Sequence, residues 1–216
     1  MSVPNLEADR ARALKLVPVS HETAARLDQF VDLLLRWQRA VQLVAPSTLP
    51  KLWTRHIADS LQLIAHAPDA TVWADLGSGG GFPGLVIAIA LTGRAGALVH
   101  LVESDARKAA FLREAARLMR APIKLHAERI ESAAERIGEV DIVTARALAP
   151  LPRLLELAQP FLRAGARAVF PKGQHLDEEL TEAAKSWKIQ SRILPSLTDP
   201  SGKILIIESA SPLTPR

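Results

Sequence analysis

Asp75-Leu76-Gly77-Ser78-Gly79-Gly80-Gly81-Phe82-Pro83-Gly84 is the stretch on which the fold turns. It separates an apolar run at residues 72–76, which reads as a strand, from another at 83–91, which reads as a helix. In an open α/β sheet that junction lies at the carboxyl edge, where the ligand crevice forms. Glycines let the chain turn sharply and let a ligand approach the backbone. Pro83 suits a first helical turn, and the free amides there favour a carboxylate or phosphate. Two familiar ligand loops are excluded. A G-x-G-x-x-G dinucleotide fingerprint needs glycine at position 82, which is Phe82. A P-loop needs a lysine after the glycines, and none lies between Lys51 and Lys108.

Outward from the loop, short apolar strands alternate with helices. Strands are predicted at 97–102, 123–126, 141–145 and 166–170, with helices at 107–119, 151–161 and 177–187 between and after them. Two further strands, 189–194 and 203–208, are joined by the turn Asp199-Pro200-Ser201-Gly202. Such alternation specifies a mostly parallel sheet with helices on both faces, and the terminal hairpin adds an antiparallel edge. Before Pro68 the pattern is helical. Leu27, Phe30, Val31, Leu34 and Val41 recur at helical spacing, Ser20 offers an N-cap, and Pro46 and Pro50 punctuate the end. A second helix is expected over 51–66. The expected division is a helical extension at 1–68 and an α/β core at 69–216.

The 216 residues are 48% hydrophobic and 23% charged, an ordinary globular composition. The net charge of +4 is spread along the chain, so it permits an anionic partner without selecting one. There is no cysteine, which excludes disulfides, thiolate metal sites and a cysteine nucleophile. No metal is expected. Met1–Asn5 is polar, and no apolar run reaches the ~20 residues that span a bilayer, so the expected location is cytoplasmic and off the membrane.

With an acid two residues before the first glycine, the loop reads D-x-G-x-G-x-G, which resembles the first motif of S-adenosylmethionine methyltransferases. The chemistry agrees: the methionine moiety offers an ammonium to Asp75 and a carboxylate to the amides around Gly77 and Gly79. Glu103, 22 residues after Gly81 and at the end of the second strand, is placed to accept ribose hydroxyls or to open a helix as a solvated acid. Ile130 and Glu131 follow the third strand, where adenine would lie, with Glu128 as an alternative. Arg146 follows the fourth strand. A cation there suits a guanine N7 or O6 acceptor, a phosphate, the cofactor carboxylate or a structural ion pair. N7 carries its own lone pair and needs no base. Exocyclic-amine methylation through an N-P-P-Y clamp is excluded, since the chain has no tyrosine. Lys172 ends the fifth strand, facing either an RNA phosphate or solvent. Arg55 and His56 share a helix with Asp59 and Ser60, an arrangement that reads as an RNA-facing surface or as a helical Arg55–Asp59 pair.

Together, Arg55-His56-Ile57-Ala58-Asp59-Ser60, the loop 75–84, Glu103-Ser104-Asp105-Ala106-Arg107-Lys108, Thr144-Ala145-Arg146-Ala147 and Pro171-Lys172-Gly173 resemble the RsmG family, also called glucose-inhibited division protein B. That family comprises bacterial small-subunit ribosomal RNA methyltransferases acting at guanine N7. The resemblance runs from about Phe30 to Glu208. It implies a seven-stranded Rossmann-like sheet, S-adenosylmethionine as donor, 16S ribosomal RNA as substrate (free or in a small-subunit assembly particle), and cofactor contacts at Gly77, Phe82, Ile130, Glu131 and Arg146. It departs at Gln42-Leu43-Val44, where relatives carry Asn-Leu-Thr. A small-molecule methyltransferase and a non-catalytic cofactor-binding module are the competing readings.

Overall fold

A computed structural model describes residues 6–213, so the polar Met1–Asn5 lies outside it. Seven strands form one sheet: β1 (Val72–Leu76), β2 (Leu98–Val102), β3 (Ile123–His126), β4 (Ile142–Thr144), β5 (Arg167–Lys172), β6 (Trp187–Pro195) and β7 (Lys203–Pro212). Their order is β3-β2-β1-β4-β5-β7-β6. The first five run parallel, and β7 lies antiparallel between β5 and β6. The order reverses at β1, between β2 and β4, which makes the switch point where such sheets bind ligands. Asp75 pairs in register with both Leu101 and Thr144. The loops after β1, β2 and β4 therefore leave the sheet side by side.

Both faces of the central strands are covered, which is why β1, β2 and β4 read as near-continuous apolar runs, while the edge strands β3 and β6 are more exposed. Successive side chains point to opposite faces. Trp73, Ile204 and Ile206 enter one core with α4 (Gly84–Ala90), α5 (Ala106–Met119) and the N-terminal helices. Ala74, Leu205 and Ile207 enter the other, with α6 (Ile130–Ala134), α7 (Leu151–Arg163) and α8 (Leu176–Ala183). Local signals set the ends. Ser20 accepts from the Thr23 amide to cap α2 (His21–Trp37), and Asp105 accepts from the Arg107 and Lys108 amides to cap α5.

The structure corrects the sequence reading in three places. A helix at Glu7–Leu16, α1, had no legible signal because only Ala13 on it is buried. Tertiary bonds hold it: Asp9 accepts from the Trp53 and Thr54 amides, and Arg10 pairs with Asp28 at 2.6 Å. The expected helix over 51–66 is instead a succession of turns. A 3₁₀ segment (Pro46–Lys51) leads into a π-helical turn (Trp53–Ala58), the short α3 (Asp59–Leu61) and another 3₁₀ segment (Gln62–His66). Finally, α8 stops at Ala183, and Trp187 opens β6 with its ring buried in the second core.

Candidate functional site

The glycine loop is tied down from below. Ser78 donates its amide to the Val102 carbonyl at 2.9 Å and its hydroxyl to the Asp75 carbonyl. Gly77, Gly79 and Gly81 have φ of 71°, 54° and 91°, the left-handed region that side chains disfavour. Gly84 is glycine for a different reason: a Cβ there would stand 2.5 Å from the Asp75 carboxylate. That carboxylate is fully buried and accepts from the Gly84 amide through Oδ2 at 3.0 Å. Its Oδ1 has no partner among the described residues, and burial lifts the Asp75 pKa to about 6. A buried, half-satisfied acid under a loop of turned amides fits the ammonium and carboxylate of an amino-acid moiety.

Above the loop, one arginine organises three elements. Arg146 leaves the end of β4, and the next residue, Ala147, is held at φ 52°, a strained conformation of the kind found at ligand sites. Its guanidinium lies 5.1 Å from the Phe82 ring centroid. It donates to the Arg55 carbonyl at 3.1 Å, to Asp59 Oδ2 at 3.4 Å and to His56 Nδ1 at 2.6 Å. Arginine only donates, so His56 Nδ1 accepts and the proton sits on Nε2. That proton points to Thr48 Oγ1, 2.8 Å away, and Thr48 donates to the Ala45 carbonyl at 2.7 Å. Burial, then the Arg146 and Arg55 charges, push the His56 pKa down to about 3, so the ring is neutral.

The π-helical turn presents Arg55 and His56, and the start of α3 presents Asp59 beside them. Ser60 donates to the His56 carbonyl at 2.6 Å, and Gln62 and Thr198 both donate to Asp59 Oδ1. Of the two readings of this segment, the helical Arg55–Asp59 pair is absent among the ion pairs of the described residues. Arg55 reaches Asp199 at 2.7 Å, which ties the segment to the β6–β7 turn, while Asp59 turns inward to Arg146.

A cavity of about 760 Å³ opens over these groups, a size suited to a small-molecule site. Its lining includes Gly77, Gly79, Phe82, Arg55, His56, Arg146 and Lys172, seven of the residues singled out from sequence. Asp75 lies beneath the floor. Glu103 is 9% exposed, with Oε2 on the Gly79 amide and Oε1 on the Asp105 amide, both under 3 Å. Ile130 and Glu131 are not in the lining: Ile130 packs on the second core, and Glu131 pairs with Arg153 at 2.7 Å. Lys172 is neither a solvated turn lysine nor free for a phosphate, because its ammonium is paired with Glu179 and its side chain is only 9% exposed. Sequence reasoning missed Thr48 and Glu179, which join the lining from remote segments and carry no local motif. Leu43, at the Gln42-Leu43-Val44 departure, belongs to the lining too, and its carbonyl lies where a Cβ at Gly80 would meet it. Gln38 holds that turn, accepting from the Leu43 and Val44 amides.

Among the described residues, no helix is long and apolar enough to cross a membrane, and no group of three or more His, Asp or Glu side chains is placed to hold a metal ion. Residues 23–205 match the family described as rRNA small subunit methyltransferase G (GidB). The chain is 57% identical over 204 residues to a ribosomal RNA small subunit methyltransferase G of Bradyrhizobium sp. strain BTAi1, covering 94% of this chain and 92% of that protein. It is 54% identical over 210 residues to that of Rhodopseudomonas palustris strain BisB18, covering 97% and 90%. Among solved structures, an O-methyltransferase from Bacillus cereus crystallised with SAH superposes with a TM-score of 0.63 at 12% identity, covering 94% and 97% of the two chains. A putative O-methyltransferase from Klebsiella pneumoniae gives 0.62 at 15%, covering 94% and 96%. These likenesses establish a shared fold.

Proposed function

The chain belongs to the rRNA small subunit methyltransferase G (GidB) family, and from that membership we propose that it transfers a methyl group from S-adenosylmethionine to N7 of a guanine in 16S ribosomal RNA. The observation that carries the chemistry is a single cavity whose lining runs from the glycine loop past Arg146 to Lys172 and Lys203. It has a donor end and an acceptor end, with cations around it.

S-adenosylmethionine, when bound, supplies a methyl group made electrophilic by a sulfonium. Asp75, buried beneath the loop, supplies the negative charge that the ammonium needs, and the amides at Gly77 and Gly79 face the carboxylate. Glu103, braced by two amides, accepts the ribose hydroxyls. Phe82 contacts the donor, and Ile130 and Glu131, outside the cavity lining, border the end where its adenine lies. Arg146 stands between the two ends and aligns donor and acceptor, as a reaction without proton abstraction requires. Arg55, His56 and Lys172 border the acceptor end, where RNA enters. Up to residue 68 the described chain forms an extension that completes the site of the transferase core beginning at 69. The substrate is 16S ribosomal RNA, free or within a small-subunit assembly particle, in the cytoplasm.

The test is transfer of label from S-adenosylmethionine to small-subunit particles that lack the modification, with nucleoside analysis of the RNA. Labelled 7-methylguanosine is expected. Donor binding without label in RNA would point to a small-molecule acceptor or a regulatory module and remove the proposal.

A further inference from the structure

Four carboxylates stand in or under the cavity, and their free oxygens differ. Asp59 is spent on Gln62, Thr198 and Arg146. Asp199 is spent on Ser201 and Arg55. Asp75 is sealed beneath the glycine loop. Glu179, near the start of α8, differs from all three. Its Oε2 accepts from the Leu151 amide at 2.6 Å and from the Lys172 ammonium. No described residue donates to its Oε1, although the side chain is 24% exposed and lines the cavity beside Lys172 and Pro150.

We propose that Glu179 is the residue that recognises the base, its Oε1 accepting the N1–H and the 2-amino group of guanine. This assignment rests on the guanine-N7 reading above. Of the two bases that possess an N7, only guanine presents donors at the far end of the ring. Adenine offers the N1 lone pair there, which a carboxylate repels. One carboxylate oxygen has two lone pairs, enough for both donors. Gripping the ring at that end leaves N7 free. The N7 lone pair forms the new bond to the methyl carbon as the carbon–sulfur bond breaks, so positive charge leaves sulfur, appears on the purine, and no proton is lost. A carboxylate bonded to N1–H therefore interacts more strongly with the charged product-like ring than with the neutral base, which favours the transition state. Lys172 and the amino end of α7 fix the other oxygen, so the group is held in place before the base arrives.

A purely structural role, capping α7 and neutralising Lys172, is the rival account. Glu179→Gln keeps a carbonyl for both of those bonds and turns an amide toward the base. Once the labelled nucleotide is located, wild type and Glu179→Gln are compared on particles carrying guanine or inosine at that position, inosine lacking only the 2-amino group. The wild type is expected to lose about 10- to 100-fold in kcat/KM on inosine. Glu179→Gln is expected to lose at least as much on guanine and little more on inosine, with donor affinity unchanged in calorimetry. Losses that simply multiply would assign Glu179 a structural role and overturn the proposal. So would a wild type that treats inosine and guanine alike, a result that needs no variant. If the wild type forms no 7-methylguanosine at all, the underlying function fails rather than this assignment alone.

Discussion

Arg146 and Asp75 show how much chemistry a single position can carry. The Arg146 fork reaches His56, Asp59 and a backbone carbonyl at once, a geometry lysine cannot reproduce. Arg146→Lys is therefore expected to lower methyl transfer by about 100-fold, the order of effect that misalignment produces, and to lower thermal stability, because a buried fork that bonds three groups at once is lost. Single-turnover kinetics on small-subunit particles measure it. Asp75 gives a prediction with a sign. Its carboxyl titrates at about 6 in the folded protein because burial disfavours the charge. The ionised form is the one that attracts an ammonium, so donor affinity should rise as pH climbs through about 6 and then level off. Asp75→Asn removes a buried charge without removing volume. It should weaken donor binding by at least about tenfold, abolish that pH dependence and leave the fold as stable or more so. Calorimetry across the pH range reads all of this, and a flat wild-type profile would remove Asp75 from the donor site. Asp75, Gly77 and Arg146 were legible because each sits at a fixed distance from a strand end. Asp59 and Glu179 take their roles from partners as distant as 139 residues, through Thr198, or from a helix start such as Leu151, and no local pattern announces such meetings.

Between residues and the whole lie the elements, where the sequence was readable wherever burial is two-sided. β1 falls at the expected residues because both of its faces are covered and its apolar run is bounded by turn residues. The expected helix over 51–66 gives way to a succession of turns, in which the Ser60 and Gln62 side chains donate to the His56 and Asp59 carbonyls and compete with regular helical bonding without changing composition. That irregularity is what aims His56 and Asp59 at Arg146. The junction of β1 and α4 is closely packed. A methyl at Gly84 would lie 2.5 Å from Asp75 and 2.6 Å from Leu101, both fully buried. Gly84→Ala should cost about 1–3 kcal/mol or more by overpacking and weaken donor binding by displacing Asp75. Urea denaturation measures the first effect and calorimetry the second. A variant as stable as wild type would mean that α4 can slide away from β1.

At the scale of the molecule, the extension and the α/β core share one hydrophobic interior. Phe30 of α2 packs edge-on against Phe82 of the glycine loop at 5.6 Å and lies 6.1 Å from Phe111 of α5. The division at Pro68, drawn from the change of rhythm along the chain, marks a change of pattern, yet apolar packing continues across it. Because the interior is shared, its buried titratable groups act on the stability of the whole. His56 is held down to about 3 and His100 to about 4, chiefly by burial, and His66 and His126 shift the same way. His100 and His126 also face each other at 3.0 Å between β2 and β3, with Lys124 adding repulsion. In the unfolded chain each titrates near 6.5. As pH falls from about 6.5 toward 4, the unfolded state therefore takes up protons that the native state refuses, and stability declines. Asp75 works in the opposite sense, since the native state binds its proton from about 6 and the unfolded state only near 3.9. Four histidines against one carboxyl leave the balance with the histidines. The urea midpoint should thus fall steadily between those pH values and stay level above them. His100→Gln removes one of the four groups and keeps a hydrogen-bonding partner for His126, so its midpoint should fall less steeply with acid. A midpoint that rises on acidification would mean that Asp75 outweighs the histidines and that their rings are open to protonation in the native state.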